Sequence, residues 1–236
     1  MLKEFITITA LSLALVGCSP EDAENELLEI TEKNAASIVA VPLAYQSIVP
    51  DSNSDTIECD SGSGSISEIN GDNFRQDGSV LSGNVSSTAT YNKCVVDGIT
   101  YQGKVAADVM FDNVDIFGST GSLTIVNTLE GFRISDDSTY QQVDGSIAIA
   151  TSFDNLTIEL SWDLKTTTSE LQGLQIKTRS TSNIQMGLYN AQAITGSWVI
   201  EGGNDTSIIA AIVPNGIEYS VNGGQVLLMS WSEVSD

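Results

Sequence analysis

The chain has 236 residues, 31 acids against 9 bases, no histidine and a net charge of −22. That length can bury a full hydrophobic core, so neither metals nor disulfides are needed as staples. The charge excludes nucleic acid as a partner, since phosphate binding needs a basic footprint. The missing histidine excludes Ser-His-Asp and Cys-His catalysis and the usual zinc and iron sites.

Residues 5–16 form an uncharged, mostly apolar run behind Lys3 and Glu4. A bilayer span needs about 20 apolar residues, so this shorter run reads as a signal peptide. It closes on Leu15-Val16-Gly17-Cys18. That tetrapeptide resembles the bacterial lipobox at all four positions. The resemblance implies that residues 1–17 are removed and that Cys18 is joined to diacylglycerol and then N-acylated, for example with palmitate. Ser19 in place of Asp after the cysteine implies export to the outer membrane, on its periplasmic or surface face. Two or more acyl chains anchor stably, so the membrane is the expected partner, held through the lipid on Cys18. Loss of Lys3 and Glu4 removes one base and one acid, so the mature charge stays at −22. An ordinary secretory signal with a chance cysteine is the alternative.

With Cys18 lipidated, Cys59 and Cys94 remain as one pair. An oxidising periplasm would join them, and two buried free thiols are the alternative. Residues 18–30 are expected to be the lipidated cysteine and an acidic tether, with a short strand at 28–30. Thr31 reads as a helix N-cap, and Ala35, Ile38, Val39, Pro42 and Tyr45 follow at helical spacing. A helix is expected over 31–48, stopping or kinking near Val41 because Pro42 lacks a backbone donor. The rest of 31–236 is expected to be a single β-rich domain.

From Thr56 onward period-two alternation recurs. Leu156, Ile158, Leu160, Trp162 and Leu164 share one face of a predicted strand, and Thr157, Glu159, Ser161, Asp163 and Lys165 share the other. Stretches around 81–91, 105–111 and 147–153 repeat the pattern. An apolar-spacer-Gly-spacer-apolar unit recurs at Gly83, Gly103, Gly145, Gly173 and Gly196. Glycine inside a strand marks a bulge or bend. Turns are expected at Asp97-Gly98, Asn113, Asp136-Asp137, Asp154-Asn155, Gly202-Gly203-Asn204, Asn215-Gly216 and Asn222-Gly223-Gly224. About ten to thirteen strands follow, and a sheet that large must curl, close or split into layers. The expected fold is mainly β: a large antiparallel meander, strongly curved or an incomplete barrel, with the N-terminal helix packed on its open face or end. A β-sandwich is the alternative.

Thr31-Glu32-Lys33-Asn34-Ala35, the Cys59 and Cys94 pair, the Gly-centred strands and Trp231-Ser232-Glu233 together resemble a loose group of uncharacterised β-rich lipoproteins of Gram-negative bacteria. That resemblance brings no activity with it. The residues themselves give little chemistry. Asp51-Ser52-Asn53-Ser54-Asp55 alternates oxygen ligands like a calcium loop, but Thr56 stands at the turn glycine and Gly62 at the closing acid. Asp108, Asp112, Asn113 and Asp115 form a second acidic cluster, read as solvated turn acids. Asp136, Asp137, Glu159 and Asp163 could supply a glycosidase carboxyl pair, though nothing selects one. Trp162, Trp198 and Trp231 are assigned to different strands and to core packing, with a sugar or lipid platform as the alternative. No cofactor is expected, and no catalytic residue or metal ligand is identified. The expected role is structural or binding, with an apolar ligand such as an acyl chain possible in the curve of the sheet. A carboxylate-based hydrolase or carbohydrate-active module is the rival.

Overall fold

Alternation places Leu160, Trp162 and Leu164 on the buried side of one strand and Asp163 and Lys165 in water. A strand with one wet face belongs to an antiparallel sheet with a single core. The computed structural model, which describes residues 26–42, 57–67, 69–115, 117, 120–188 and 193–234, shows one such sheet of twelve strands. They are β1 (Ser61–Ile66), β2 (Asn70–Asp77), β3 (Val80–Val96), β4 (Ile99–Asp115), β5 (Thr120–Ser135) and β6 (Tyr140–Ser152). Then come β7 (Thr157–Thr168), β8 (Gln175–Gly187), β9 (Ala193–Glu201), β10 (Ser207–Val213), β11 (Gly216–Val221) and β12 (Val226–Ser230). Two short helices complete the elements, α1 (Ala35–Val39) and α2 (Trp231–Val234).

From β3 to β12 every strand pairs with its neighbour in sequence. β1 and β2 both pair with β3, β1 along its C-terminal half and β2 along its N-terminal half. They act as one broken edge strand. Among the described residues the sheet does not close into a barrel and no second sheet is packed on it, so the sandwich alternative is set aside.

Cross-strand register lines up the core. Ala89, Val105, Leu129, Gly145, Leu164, Thr178, Ile200, Ile208 and Val221 are successive partners from β3 to β11. Most of this row is buried, and each fully buried Leu or Ile contributes about 1.5–3 kcal/mol. A second row runs Val85, Val109, Ile125, Ile149, Leu160 and Ile184. It is buried at Leu160 and Ile184 but only half-buried from Val85 to Ile149.

Bulges curl the sheet, as the internal glycines suggested. The β4–β5 register slips between Gln102 and Lys104. There Gly103 (φ +98°) lies against the carbonyl of Gly131, itself at φ +54°. The β2–β3 register slips between Asp72 and Arg75, where Gly83 lies against the carbonyl of Asn73, at φ +55°. Asn113, expected in a turn, instead bulges within β4 at φ +51°. Gly173 sits in the β7–β8 turn and not in a strand.

The N-terminal segment caps this core. Leu27 and Glu29 form parallel bridges to Gln175 and Gly203, and Ile30 is buried. α1 buries Ala35, Ile38 and Val39 against the sheet, and the Trp198 indole N–H donates to the Val39 carbonyl at 3.1 Å. The expected helix over 31–48 is therefore shortened to five residues, and residues 43–48 lie outside those described. Thr31 does not cap it. Asn34 reaches back instead, and its Oδ1 accepts from the Thr31 N–H at 2.8 Å. A short 3₁₀ turn at Val41 and Pro42 follows, consistent with the donor that proline lacks. Trp231, assigned to a strand, begins α2, where its indole N–H donates to the Pro214 carbonyl at 3.2 Å.

Candidate functional site

Three groups of residues carry whatever chemistry the chain has: the cysteines, the carboxylates and the half-buried apolar rows. Cys18 lies outside the described residues. Cys59 and Cys94 are joined as a disulfide with their Cα atoms 5.3 Å apart. The bond fastens the approach to β1 onto β3, and Cys94 is buried in the core. Neither sulfur is a free thiol.

The carboxylates are dispersed over the sheet. The calcium-like stretch at 51–55 lies outside the described residues. Asp108 is exposed on the outward face of β4. Asp112 accepts from the Asn113 amide at 3.0 Å, and Asn113 accepts from the Ser82 hydroxyl at 3.2 Å. Asp115 accepts the Phe117 N–H. Asp154, read from the sequence only as a turn residue, accepts the Gly121 N–H at 3.1 Å. Asp112, Asn113, Thr120, Gly121, Ser122 and Asp154 together line an open depression of about 350 Å³. Its carboxylates are spent on backbone and amide donors. Among the described residues no three His, Cys, Asp or Glu side chains gather as metal ligands would.

Asp136 and Asp137 occupy the β5–β6 turn. Backbone N–H groups of Ser138 and Thr139, with both hydroxyls, hold the Asp136 carboxyl down at about 2. This is a carboxylate closing a turn. Glu159 on β7 accepts from the Asn183 amide at 2.7 Å and the Gln185 amide at 3.0 Å on β8. Asp163 lies four residues further along β7, about 13 Å away at strand rise. Glycosidase carboxyls stand about 5–9.5 Å apart, and the Glu159 carboxylate is engaged by the two β8 amides. The Asp136 turn is level with Thr168, at the opposite end of β7 from Glu159.

The aromatic residues pack as expected. Trp162 and Trp198 are buried with ring centroids 6.1 Å apart. Tyr91, Tyr101 and Phe132 form a second cluster, and burial pushes both phenols up from their ordinary value. Neither the depression at Asp112 and Asp154 nor the smaller one beside Glu32, Val221, Gln225 and Leu227 is an enclosed apolar cavity. Half-buried apolar surface runs from Val85 to Ile149, continued by Phe111 against Phe74 at 5.6 Å between centroids. Sequence alternation marks which residues share that face. It does not mark how far that face is buried, because that depends on packing between parts distant in the chain.

No protein family, curated protein or solved structure matches this chain. No described helix is long and apolar enough to cross a membrane.

Proposed function

We propose that the chain is a lipid-anchored outer-membrane lipoprotein whose β domain has a structural or binding role and performs no catalysis. The observation that carries this reading is the lone cysteine. Cys59 and Cys94 consume each other, which leaves Cys18 unpaired at the end of the lipobox-like Leu15-Val16-Gly17-Cys18. Disulfides persist in oxidising compartments, which agrees with export. The first 17 residues act as the signal peptide, residues 18–30 begin as a tether, and Leu27 and Glu29 are where that segment joins the sheet. Two or more acyl chains supply the hold that so acidic a surface lacks. An apolar ligand would lie on the half-buried rows from Val85 to Ile149. The engagement of Glu159 by the two β8 amides, and the separation of the Asp136 turn from Glu159, weigh against the hydrolase alternative built on those residues.

The test is metabolic labelling of expressing cells with radioactive palmitate. Label on the wild-type chain and none on a Cys18→Ser variant is the expected result. Label retained in that variant would sink the anchor.

A further inference from the structure

The two edges of the sheet are built differently. The first edge is interrupted between β1 and β2, slips register within both, and carries Arg75. Breaks, bulges and charge are the means by which sheets avoid unwanted strand pairing. The last edge has none of them. β12 pairs with β11 over five residues without a slip, and its sequence Val-Leu-Leu-Met-Ser holds no charge. Among the described residues its outer side pairs with no strand. Val226, Leu227 and Leu228 are 59%, 37% and 49% exposed. Val226 continues a cross-strand row from Ile209 through Ser220, and Ile209 is also exposed. An added strand would find backbone groups that no described strand pairs, except the Ser230 N–H, which donates to Glu233, and an apolar strip beside them.

The carboxylates placed at this edge are those of Glu218, Glu233 and Glu32. No Lys or Arg follows Arg179 in the sequence, and Arg179 itself is paired with Glu201 on β9. Glu218 is the cross-strand partner of Leu228. Glu233 accepts from the Ser230 backbone and hydroxyl at the end of β12. Glu32 lines a small depression of about 110 Å³ beside Leu227, Val221 and Gln225. Lys33, next to Glu32, is the one base close in sequence to these groups.

We propose that β12 is a docking edge for an extended segment of another protein, with alternating apolar residues and flanking Lys or Arg. Main-chain pairing at the edge would supply affinity, and side chains beside Val226 and Leu228 would supply selectivity. The carboxylates select a basic partner and oppose a second copy, which brings the same acids and a further net charge of −22. The proposal deepens the binding half of the function above and does not depend on the lipid.

The test uses the full chain, purified in mild detergent, and a fluorescent nonapeptide, Lys-Lys-Val-Thr-Val-Thr-Val-Lys-Lys. Saturable binding by anisotropy is expected. It should weaken at least about tenfold when Glu replaces every Lys of the peptide, and as much in Leu228→Lys. Ile69→Lys, at the other edge, should leave it unchanged. No saturable binding, equal binding of both peptides, or loss in Ile69→Lys alone would overturn the proposal. So would sedimentation of the wild-type chain as a dimer that Leu228→Lys makes monomeric, which assigns the edge to a second copy. Mass analysis of Cys18 on the same sample reports the anchor separately, so either reading can fail alone.

Discussion

Gly103 shows how one residue shapes the sheet. Its φ of +98° suits glycine, and a Cβ there would collide with the Gly131 carbonyl. Gly103→Ala should destabilise the protein by about 2 kcal/mol or more. Gly78 makes the control: its φ is +62°, but a Cβ would meet open space. Gly78→Ala should cost about 1 kcal/mol, the left-handed penalty alone, and urea denaturation of both variants checks the contrast. Asp136 tests electrostatics at the same scale. Its carboxyl is held at about 2 by the Ser138 and Thr139 donors, below the ordinary aspartate value of 3.8. A depressed folded pKa contributes stability above the unfolded pKa, and that contribution is lost as pH falls through the folded one. The stability gap between wild type and Asp136→Asn should therefore be constant above about pH 5 and close between about pH 4 and pH 2. Denaturant titrations at stepped pH measure it. A gap unchanged down to the lowest pH would contradict the turn's role.

At the scale of elements, the disulfide and α1 hold the two ends of the assembly. Cys59 and Cys94 are 35 positions apart. Replacing both with Ser should lower stability by about 4 kcal/mol on the chain-entropy account. Hydrogen exchange in β1 should rise first, since β1 is an edge piece fastened beside that bond. Ile38 in α1 is fully buried among sheet residues. Ile38→Ala should cost about 3 kcal/mol, a loss far beyond what a five-residue helix contributes by its own propensity. This explains why the helix was only partly legible. Ala35, Ile38 and Val39 have the right spacing, but the N-cap position falls at Asn34, whose side chain bonds back to the Thr31 N–H and leaves the helix without a side-chain cap. Strands were easier to read, because alternation in β7 is local and needs no partner to be seen. Their bulges were half legible. Gly83 and Gly103 stand out in the sequence, Asn113 reads as a turn where it is a bulge, and the left-handed Asn73 and Lys93 carry no signal. Those conformations are set by the strand alongside.

For the whole molecule, charge is the dominant surface property. A net −22 makes the compact state repel itself. Raising NaCl from about 10 mM to about 500 mM should raise the thermal midpoint, because the screening length falls from about 30 Å to a few Å. A falling midpoint would mean that the pairs Lys104–Glu130 and Arg179–Glu201 outweigh the repulsion, against the usual small value of exposed pairs. The β class, the single inner face and the strand count were legible at this scale. The half-buried state of the stretch from Val85 to Ile149 was not, because it depends on packing between parts distant in the chain.

The order of the strands has a consequence for how such a protein grows. From β4 to β11 each strand pairs, among the strands, with its predecessor and its successor alone. Linear arrays of this kind have stabilities that add from unit to unit. An adjacent pair of strands could be duplicated or deleted while the remaining neighbours kept their facing and direction. The chain can also be laid down in the order in which it emerges, each hairpin completing on the rim left by the last. Length in this architecture is a variable, and a lineage can change it two strands at a time.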